Sequence, residues 1–356
     1  DFANSAAKGV WSLEEQLAYQ KAGLWPVPGK FLNVEDVFST FLYTGNSTAR
    51  SITNGIDLDG EGGLVWVKWR SGAVGSGGHV LVDTERGVNY WLSSSSTSAQ
   101  NTTQNSVTAF NSNGFSIVDA GGKTNYSGDD YASWTFRKAP KFFDVVQFST
   151  GGSAVEQTIN HSLGSTPGMI IIKCTTDLGS WYVWHRGIGT TQYLRLEATD
   201  AVATYDGVIN NVTSTSFTTD VGTALPINST NIAYLFAHND GDGEFGPDGD
   251  ADIIKCGSYT GTGNYQEIDL GFEAQWVMIK RTDSSQDWMI FDVMRGMPDQ
   301  GGTGSIPSGN DARLKPNTSD AEQSDTYGID PHANGFAVRG NNISVNGSTY
   351  IYIAIR

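Results

Sequence analysis

Three similar apolar strings recur along this chain at nearly constant spacing. They are LVWVKWR from Leu64, MIIIKCT from Met169 and WVMIKRT from Trp276. Their lysines, Lys68, Lys173 and Lys280, lie 105 and 107 residues apart. A fixed period of this kind is the signature of tandem structural units, and it predicts three copies of one domain of about 100 residues.

The sequence around each string repeats in the same order. A strand that follows each upstream glycine turn contains Ile52, Ile159 or Ile268. Downstream, another apolar strand closes on Arg-Gly, at Arg86, Arg186 and Arg295. Asp83 and Asp292 stand three residues before their arginines, which predicts a local ion pair in the first and third copies.

The pattern of residue types indicates the fold class. Short runs of β-branched and aromatic residues alternate with clusters of Gly, Asn, Asp and Ser, which is typical of antiparallel β-structure. We predict an all-β fold with three tandem antiparallel β-sandwiches of the jelly-roll, lectin-like type behind a short N-terminal helix. An immunoglobulin-like sandwich is the alternative, and the long polar stretches 93–106, 200–213 and 301–325 favour the jelly roll.

Two further expectations concern the surfaces of these sandwiches. Alternation along the strands predicts polar outer faces. The strand-end lysines are expected to lay their stems on the sheet and hold their ammonium groups in water. An anion or sugar site is the alternative role for them.

The period also sets the predicted domain boundaries. They are a helical head at 1–35, sandwiches at 36–139, 140–238 and 251–356, and an acidic, glycine-rich linker at 239–250.

The head contains one clear helical pattern over 12–22. Ser12 and Glu15 form a capping box at its start, and Gly23 followed by Trp25-Pro26 ends it. Its large apolar residues include Trp11, Leu13, Leu17 and Trp25. Burying one such side chain stabilises by roughly 1.5–3 kcal/mol. We therefore expect the head to pack on another chain rather than on its own β-domain, and to make a homo-oligomer with a trimer favoured.

The acidic linker is a candidate metal site. Carboxylates stand at alternating positions in a glycine-rich stretch, at Asp240, Asp242, Glu244, Asp248 and Asp250. Such carboxylates can converge on one calcium ion. Phe245 occupies the place of the EF-hand glycine, so the motif is incomplete. The alternative is a solvated acidic linker without an ion, and no other cofactor is expected.

Aromatic residues near the predicted rim loops are candidates for stacking on sugar rings. They are Trp91, Tyr126, Trp181 and Tyr193. The alternative is that they belong to the sandwich cores, where aromatic residues dominate. Cys174 and Cys256 are too few for a disulfide scaffold or a four-thiolate zinc site.

Charge and motifs narrow the function. The net charge is −16, which argues against binding to nucleic acid or anionic lipid, because both need a basic surface. We see no apolar run of the ~20 residues that a membrane helix needs and no secretory signal pattern. The five histidines lack metal-ligand spacing, and no nucleophile elbow or phosphate loop is present. We predict that the protein is not an enzyme.

Three stretches carry a resemblance to a known group of proteins. They are GVWSLEEQLAYQKAGLWP, GDGEFGPDGDADIIKCGSYTGTGN and the region IDLGFEAQWVMIKRTD to FDVMRGM. They resemble virion-associated proteins of marine bacteriophages that carry tandem lectin-like β-domains behind a short helical segment. The resemblance is most specific over 241–297 and weakest in the first copy, and that group brings no established catalytic residues.

The resemblance implies a function, a location and partners. It implies a tail-fibre or appendage protein that binds a host surface glycan and attaches to other virion proteins through its head. Such a protein is made in the host cytoplasm and then sits on the tail or capsid surface. The alternatives are a capsid decoration or head-fibre protein without a receptor, and a carbohydrate-binding module of a cellular surface protein.

Overall fold

The computed structural model describes residues 13, 14, 17, 21, 31–73, 77–103, 106–119, 121–297, 311–325, 328–340 and 342–356. Its regular structure is almost entirely antiparallel β-strand. A short helix, α1, spans Val34–Val37 and is followed directly by the first strand. The prediction of an all-β fold is confirmed.

The first segment (residues 36–139) forms two sheets. Its strands are β1 (Phe38–Thr44), β2 (Arg50–Thr53), β3 (Gly63–Ser71), β4 (His79–Asp83), β5 (Val107–Asn111), β6 (Gly114–Ile117) and β7 (Asp130–Arg137). The large sheet has the order β1-β7-β3-β4, and the small sheet has the order β2-β6-β5.

The second segment (residues 140–238) has a wider large sheet and a narrower small one. Its strands are β8 (Phe143–Ser149), β9 (Glu156–Asn160), β10 (Met169–Cys174), β11 (Trp181–His185), β12 (Gln192–Arg195), β13 (Ala203–Thr204), β14 (Ser216–Asp220) and β15 (Thr230–Phe236). The large sheet has the order β13-β12-β11-β10-β15-β8, and the small sheet is the pair β14-β9.

The third segment (residues 251–356) repeats the arrangement of the first and adds a short pair. Its strands are β16 (Ile254–Thr260), β17 (Gln266–Asp269), β18 (Trp276–Arg281), β19 (Met289–Asp292), β20 (Asp311–Arg313), β21 (Gln323–Asp325), β22 (Gly328–His332), β23 (Gly335–Arg339) and β24 (Thr349–Ile355). The sheets are β16-β24-β18-β19, β17-β23-β22 and β20-β21.

One strand order recurs in the three large sheets. In each, the first strand of the segment pairs with the last, the last with the third, and the third with the fourth. The second strand pairs with the penultimate one in each small sheet, where the isoleucines expected to be equivalent all face a phenylalanine. These pairs are Ile52 with Phe115, Ile159 with Phe217 and Ile268 with Phe336.

Each large sheet is apolar on both faces. In β3, Val65 and Val67 pack with Ile52 and Phe115 in a core that the first segment keeps to itself. In β18, Val277 and Ile279 do the same in the third segment.

The alternate residues of these strands face a core shared by all three segments. That core includes Trp66 and Phe136 from the first segment, Phe236 from the second, and Trp276 and Met278 from the third. The ring of Phe136 lies 5.5 Å from that of Phe236 and 6.0 Å from that of Trp276. The expectation of polar outer faces is therefore wrong for the large sheets. Strands buried on both faces read as continuous apolar runs, and the three segments form one packed body.

The strand-end lysines lie inside this body and join its segments. Lys68, Lys173 and Lys280 are fully buried, so the expectation of ammonium groups in water is wrong. The Nζ atoms of these lysines donate to carbonyl oxygens of Ser319 (3.1 Å), Thr97 (3.2 Å) and Thr199 (3.0 Å), respectively. Each acceptor belongs to a different segment from its lysine, and the three contacts close a ring.

Backbone hydrogen bonds connect the three segments in the same cyclic order. Their acceptors lie two residues after each lysine. The amides of Gln100, Val202 and Glu322 donate to the carbonyl oxygens of Thr175, Thr282 and Arg70, at 2.9, 2.8 and 2.8 Å. The first segment thus donates a backbone hydrogen bond to the second, the second donates one to the third, and the third donates one to the first. In all three junctions the donor stands three residues after the lysine's acceptor.

Most of the predicted head lies outside the described residues. Trp11 and Trp25 are among the residues not described, and the helix predicted over 12–22 stays a prediction. The side chains of Leu13 and Leu17 are 84% and 50% exposed. Residues 31–35 instead join the body, because Leu32 forms a β-bridge with Phe245 and α1 begins at Val34. Among the described residues, no helix is long and apolar enough to cross a membrane.

Candidate functional site

An open groove with a volume of about 1210 Å³ lies on the second segment and the start of the acidic linker. Its apolar lining includes Trp184 and Ile209, which are 8% and 2% exposed. Both residues are buried, so they form the apolar part of the groove wall. Polar and charged side chains surround this lining, among them Arg186, Asp206, Asn210, Asn211 and His238.

The groove is found where the second segment departs from the strand pattern of its neighbours. The small sheets of the first and third segments have three strands, whereas residues 140–238, all of them described, give only the pair β14-β9. A single β-bridge between Asn210 and Thr218 stands beside that pair. The chain before the bridge extends the large sheet with β12 and β13, and residues 209–212 line the groove.

Two neighbouring amide side chains, Asn210 and Asn211, line the groove. Asn211 adopts a positive φ of 47°, a conformation that asparagine tolerates better than most residues. Its Nδ2 donates to Oγ1 of Thr218 at 3.1 Å. The Nδ2 of Asn210 donates to Oδ1 of Asp206 at 2.9 Å. These bonds hold both amides in place before any ligand arrives.

Arg186 and His238 also line the groove. Arg186 follows the end of β11 directly and is exposed. His238 follows β15, and its Nδ1 accepts a hydrogen bond from the amide of Cys256 at 3.1 Å. In the neutral ring the hydrogen therefore sits on Nε2, which can serve as a donor.

Four exposed carboxylates give the groove its charge. Glu156, Asp206, Asp240 and Asp242 line it together with the single guanidinium of Arg186. With His238 neutral, the formal charge of these groups is −3. Lys255 lies 3.5 Å from Asp240 and compensates part of it.

The acidic linker is ordered by contacts of its own. Asp252 accepts hydrogen bonds from the amides of Gly241 and Gly243 at 2.8 and 2.9 Å. Glu244 pairs with Lys141 at 2.8 Å. Phe245 is buried, and its ring lies 6.4 Å from that of Phe142. The linker is thus folded against the body, where lysines offset part of its charge.

The predicted calcium ligands do not converge in this arrangement. The described residues contain no group of three or more His, Cys, Asp or Glu side chains that could hold a metal ion. Asp240 and Asp242 line the groove, while Glu244, Asp248 and Asp250 are exposed outside its lining. Calcium binding by these five residues stays a prediction, with lysine pairing as the alternative.

The four candidate stacking aromatics are dispersed. Trp181 is fully buried, and its Nε1 donates to the carbonyl oxygens of Ser93 and Ser96, both at 3.0 Å. Its assignment as a sugar-stacking residue is therefore wrong, because it seals the junction between the first and second segments. Trp91 is 9% exposed, Tyr126 is 40% exposed, and half-buried Tyr193 packs on Tyr182. None of the four lines the groove.

The two cysteines are buried free thiols. Burial raises the pKa of the Cys256 thiol far above its usual range, which keeps it protonated and unreactive. Among the groove residues, Asp240 and Asp242 were selected from the sequence, but as calcium ligands and not as part of a groove. From the sequence, Arg186 was predicted only as a repeated strand-end arginine, and a difference between the segments distinguishes it. The first and third segments have Asp-x-x-Arg-Gly at that strand end, whereas the second has His-Arg-Gly.

The chain was compared with curated proteins and with models of protein families. No curated protein matches the chain. A family model described as a domain of unknown function (DUF7483) matches residues 33–356. That range begins beside α1 and includes all three segments, while residues 1–32 lie outside it. The chain therefore belongs to the DUF7483 family.

Proposed function

We propose that the protein is a non-enzymatic, carbohydrate-binding appendage of a bacteriophage virion, and that the groove of the second segment binds a host surface glycan. The groove is the observation that carries this proposal. It is open, spacious at about 1210 Å³, and lined by side chains that can both donate and accept hydrogen bonds.

The chemistry of the lining suits a sugar. A pyranose presents hydroxyl groups around its edge and C–H groups on its faces, so it needs amides, carboxylates or guanidinium groups next to an apolar surface. Asn210, Asn211 and Asp206 supply the first kind of contact, and Trp184 and Ile209 supply the second. Because Asn210 and Asn211 are already held by Asp206 and Thr218, a ligand meets a preorganised site.

Binding is favoured over glycoside hydrolysis by the exposure of the carboxylates. A glycosidase needs one carboxylic acid that stays protonated near neutral pH, which is achieved by burying it in apolar surroundings. Glu156, Asp206, Asp240 and Asp242 are all exposed. Bound glycan is therefore expected to be recovered uncleaved.

The assignment to a virion rests on the resemblance to phage appendage proteins. The jelly-roll type of the three predicted sandwiches and their lectin-like character are part of the same proposal. Residues 1–32 lie outside the family match, which suits a separate role in attachment to other virion proteins. A capsid decoration protein would share this body but bind no glycan.

A glycan array tests the proposal directly. We expect the full-length protein to bind a defined set of glycans, and Thr190→Trp to abolish that binding by filling the groove at an exposed position of its lining. Thr53→Trp, at an exposed position of β2 in the first segment, is the matched control and should bind normally. Absence of binding to all glycans would contradict the proposal. Binding that survives Thr190→Trp would move the site away from the groove, and release of cleaved glycan would contradict the non-enzymatic assignment.

A further inference from the structure

We infer that the groove discriminates its ligands by charge: it prefers glycans with free amino groups, binds uncharged glycans less tightly, and binds glycans with carboxylate groups most weakly. The inference rests on the proposed function, because it assumes that the groove binds carbohydrate. It names the class of glycan from the charges that line the site.

The carboxylates surround the groove from three different parts of the chain. Glu156 begins β9, Asp206 stands in the loop after β13, and Asp240 and Asp242 belong to the acidic linker. A ligand that fills the groove therefore meets negative charge from three separate parts of the chain.

The contacts that the groove carboxylates make within the protein leave most of their negative charge available to a ligand. Asp206 accepts a hydrogen bond from the neutral amide of Asn210, and Asp242 accepts one from the backbone amide of Asp240 at 3.0 Å. Asp240 has Lys255 at 3.5 Å, a separation wider than a direct hydrogen bond. Arg186 is the one Lys or Arg side chain among the described residues that line the groove.

The electrostatic potential of the whole chain also favours cationic ligands over anionic ones. The whole chain carries a net charge of −16, and clefts focus the field of the charges that line them. An anionic sugar would enter against this potential, while a protonated amino sugar would be drawn in. Because the carboxylates are exposed, the effect is screened by salt over a distance of about 8 Å at physiological ionic strength.

Neutral donors in the groove explain why uncharged glycans still bind. The Nε2 of His238 and the amides of Asn210 and Asn211 can bond hydroxyl groups without any charge on the ligand. The charge of a glycan thus determines its relative affinity. His238, Asn210 and Asn211 supply hydrogen bonds that cationic, neutral and anionic glycans can all make.

Titration calorimetry with three oligosaccharides of equal length tests the inference. The probes are oligomers of glucosamine, of N-acetylglucosamine and of galacturonate, which are cationic, neutral and anionic at pH 6. We expect each step from cationic to neutral to anionic to weaken binding by about tenfold at low ionic strength, and the steps to shrink at about 500 mM salt.

Charge-removing variants locate the effect in the groove. Glu156→Gln together with Asp206→Asn should reduce the preference for glucosamine over N-acetylglucosamine by about tenfold at low salt. Asp177→Asn together with Glu273→Gln removes two exposed carboxylates that do not line the groove, and should leave the preference unchanged.

The outcomes separate this inference from the proposed function. Galacturonate binding as tightly as the neutral oligomer, or more tightly, would overturn the charge rule while leaving carbohydrate binding in place. An equal loss of preference in the groove pair and the control pair would also overturn it, because the field would then come from the whole surface. Failure of all three probes, together with an empty glycan array, would reject the proposed function itself.

Discussion

The hydroxyl group of Tyr234, in the second segment, donates a hydrogen bond to Oδ2 of Asp83, in the first, at 2.8 Å. An equivalent contact joins the first segment to the third, where Nε1 of Trp134 donates to Oδ2 of Asp292 at 3.1 Å. Asp83 and Asp292 occupy the same register position, opposite the start of β3 and of β18. The corresponding residue in the second segment is His185.

His185 makes the third junction without a charge. Its Nδ1 accepts the amide of Gly187 at 2.9 Å, so the hydrogen lies on Nε2, which donates to the carbonyl oxygen of Tyr352 at 3.0 Å. The third segment has the apolar Ile353 where the other two have Trp134 and Tyr234. A backbone oxygen therefore takes the place of a side-chain partner, and every pair of segments is joined by buried polar contacts at this level.

The first prediction concerns the ion pair of Asp83 and Arg86. Nε of Arg86 donates to Oδ2 of Asp83 at 2.7 Å, and both side chains are almost fully buried. Arg86→Met or Asp83→Asn alone leaves one buried charge without its partner, and we expect each to lower the free energy of unfolding by about 3–5 kcal/mol. The double variant should cost clearly less than the sum, as measured by urea denaturation.

A surface ion pair in the same segment provides the control for these single and double variants. Lys138 and Glu85 lie 2.8 Å apart with side chains 30% and 36% exposed. Glu85→Gln should cost no more than about 1 kcal/mol. Additive effects at Asp83 and Arg86 would mean that each acts through Tyr234 and the backbone rather than through its partner.

The second prediction concerns cooperativity. Because Phe136 packs on Phe236 and Trp276 from the other two segments, the segments should not melt independently. We expect one calorimetric transition, with the calorimetric and van't Hoff enthalpies equal. Phe136→Ala should lower its midpoint, with a loss of about 3–5 kcal/mol.

A substitution inside the first segment's own core is the comparison. Val67 belongs to that core and does not belong to the shared one. Val67→Ala should also shift the whole transition, since the segment it destabilises is part of the shared body. A separate low-temperature transition in either variant would show that the segments unfold independently of one another.

The third prediction concerns alkaline pH. Burial lowers the pKa of Lys68 from 10.5 to about 7, against the opposing attraction of Asp320. Above pH 7 the folded protein has released a proton that the unfolded chain still holds, so stability should rise with pH. Relative to Lys68→Met, the wild type should gain about 2–3 kcal/mol between pH 7 and 9.5.

The predicted rise in stability ends near pH 9.5 because buried tyrosines lower the stability at higher pH. Burial raises the pKa values of Tyr43, Tyr234 and Tyr259 well above 10, so stability is lost once the unfolded chain ionises them. Melting temperatures of the wild type, Lys68→Met and the half-buried control Lys123→Met should be compared at each pH. A flat difference between the first two would show that the bonds from Lys68 to the carbonyls of Gly77 and Ser319 offset the effect of burial.

The fourth prediction concerns acidic pH. Burial lowers the pKa of His185 from 6.5 to about 4. Between these values the unfolded chain binds a proton that the folded protein does not, so stability falls as the pH drops from 6.5 to 4. The loss assigned to this residue is roughly 3 kcal/mol.

Two glutamine variants separate this histidine from the other acid-sensitive groups. His185→Gln keeps a donor for the carbonyl of Tyr352 but cannot titrate, so its stability should fall less steeply over this range. His332→Gln, at a half-exposed residue 3.6 Å from Glu267, should retain the wild-type slope. Parallel slopes for His185→Gln and the wild type would assign the acid sensitivity elsewhere, with buried His79 as the first candidate because its pKa is also strongly lowered by burial.

Short-range patterns predicted the parts of the fold that depend on neighbouring residues. The spacing of Asp83 and Arg86 was enough to predict their ion pair, and the glycine turns were enough to place Ile52 and Ile159 in equivalent strands. The shared core was missed because a strand buried on both faces has no polar side to reveal where its second face packs.

Contacts between distant residues explain the other errors. Lys68 and its acceptor Ser319 are separated by 251 positions, and no local pattern around the lysine reveals that such an acceptor exists. Trp181 was assigned to a rim because the loop that covers it, around Ser93 and Ser96, comes from another segment. The groove was missed for a different reason, since it follows from the lack of a third strand beside β14-β9 rather than from any motif.

The last prediction concerns the head. The body already buries the second faces of its three large sheets in the shared core, so it has little need of partner chains for its own stability. We propose that the head makes the trimer, because it contributes Leu13 and Leu17 with exposed side chains. Deletion of 1–30 should leave a folded body that is monomeric by light scattering.

The deletion must stop at residue 30 to be informative. Leu32 pairs with Phe245, and its carbonyl oxygen accepts the amide of Gly246 at 2.9 Å, so a longer deletion would also expose a buried part of the body. Leu13→Ser with Leu17→Ser in the full chain provides an independent variant, and it should likewise convert the trimer to a monomer. If the truncated protein keeps the mass of the full-length oligomer, the contact lies in the β-structured body and the head does not hold the chains together.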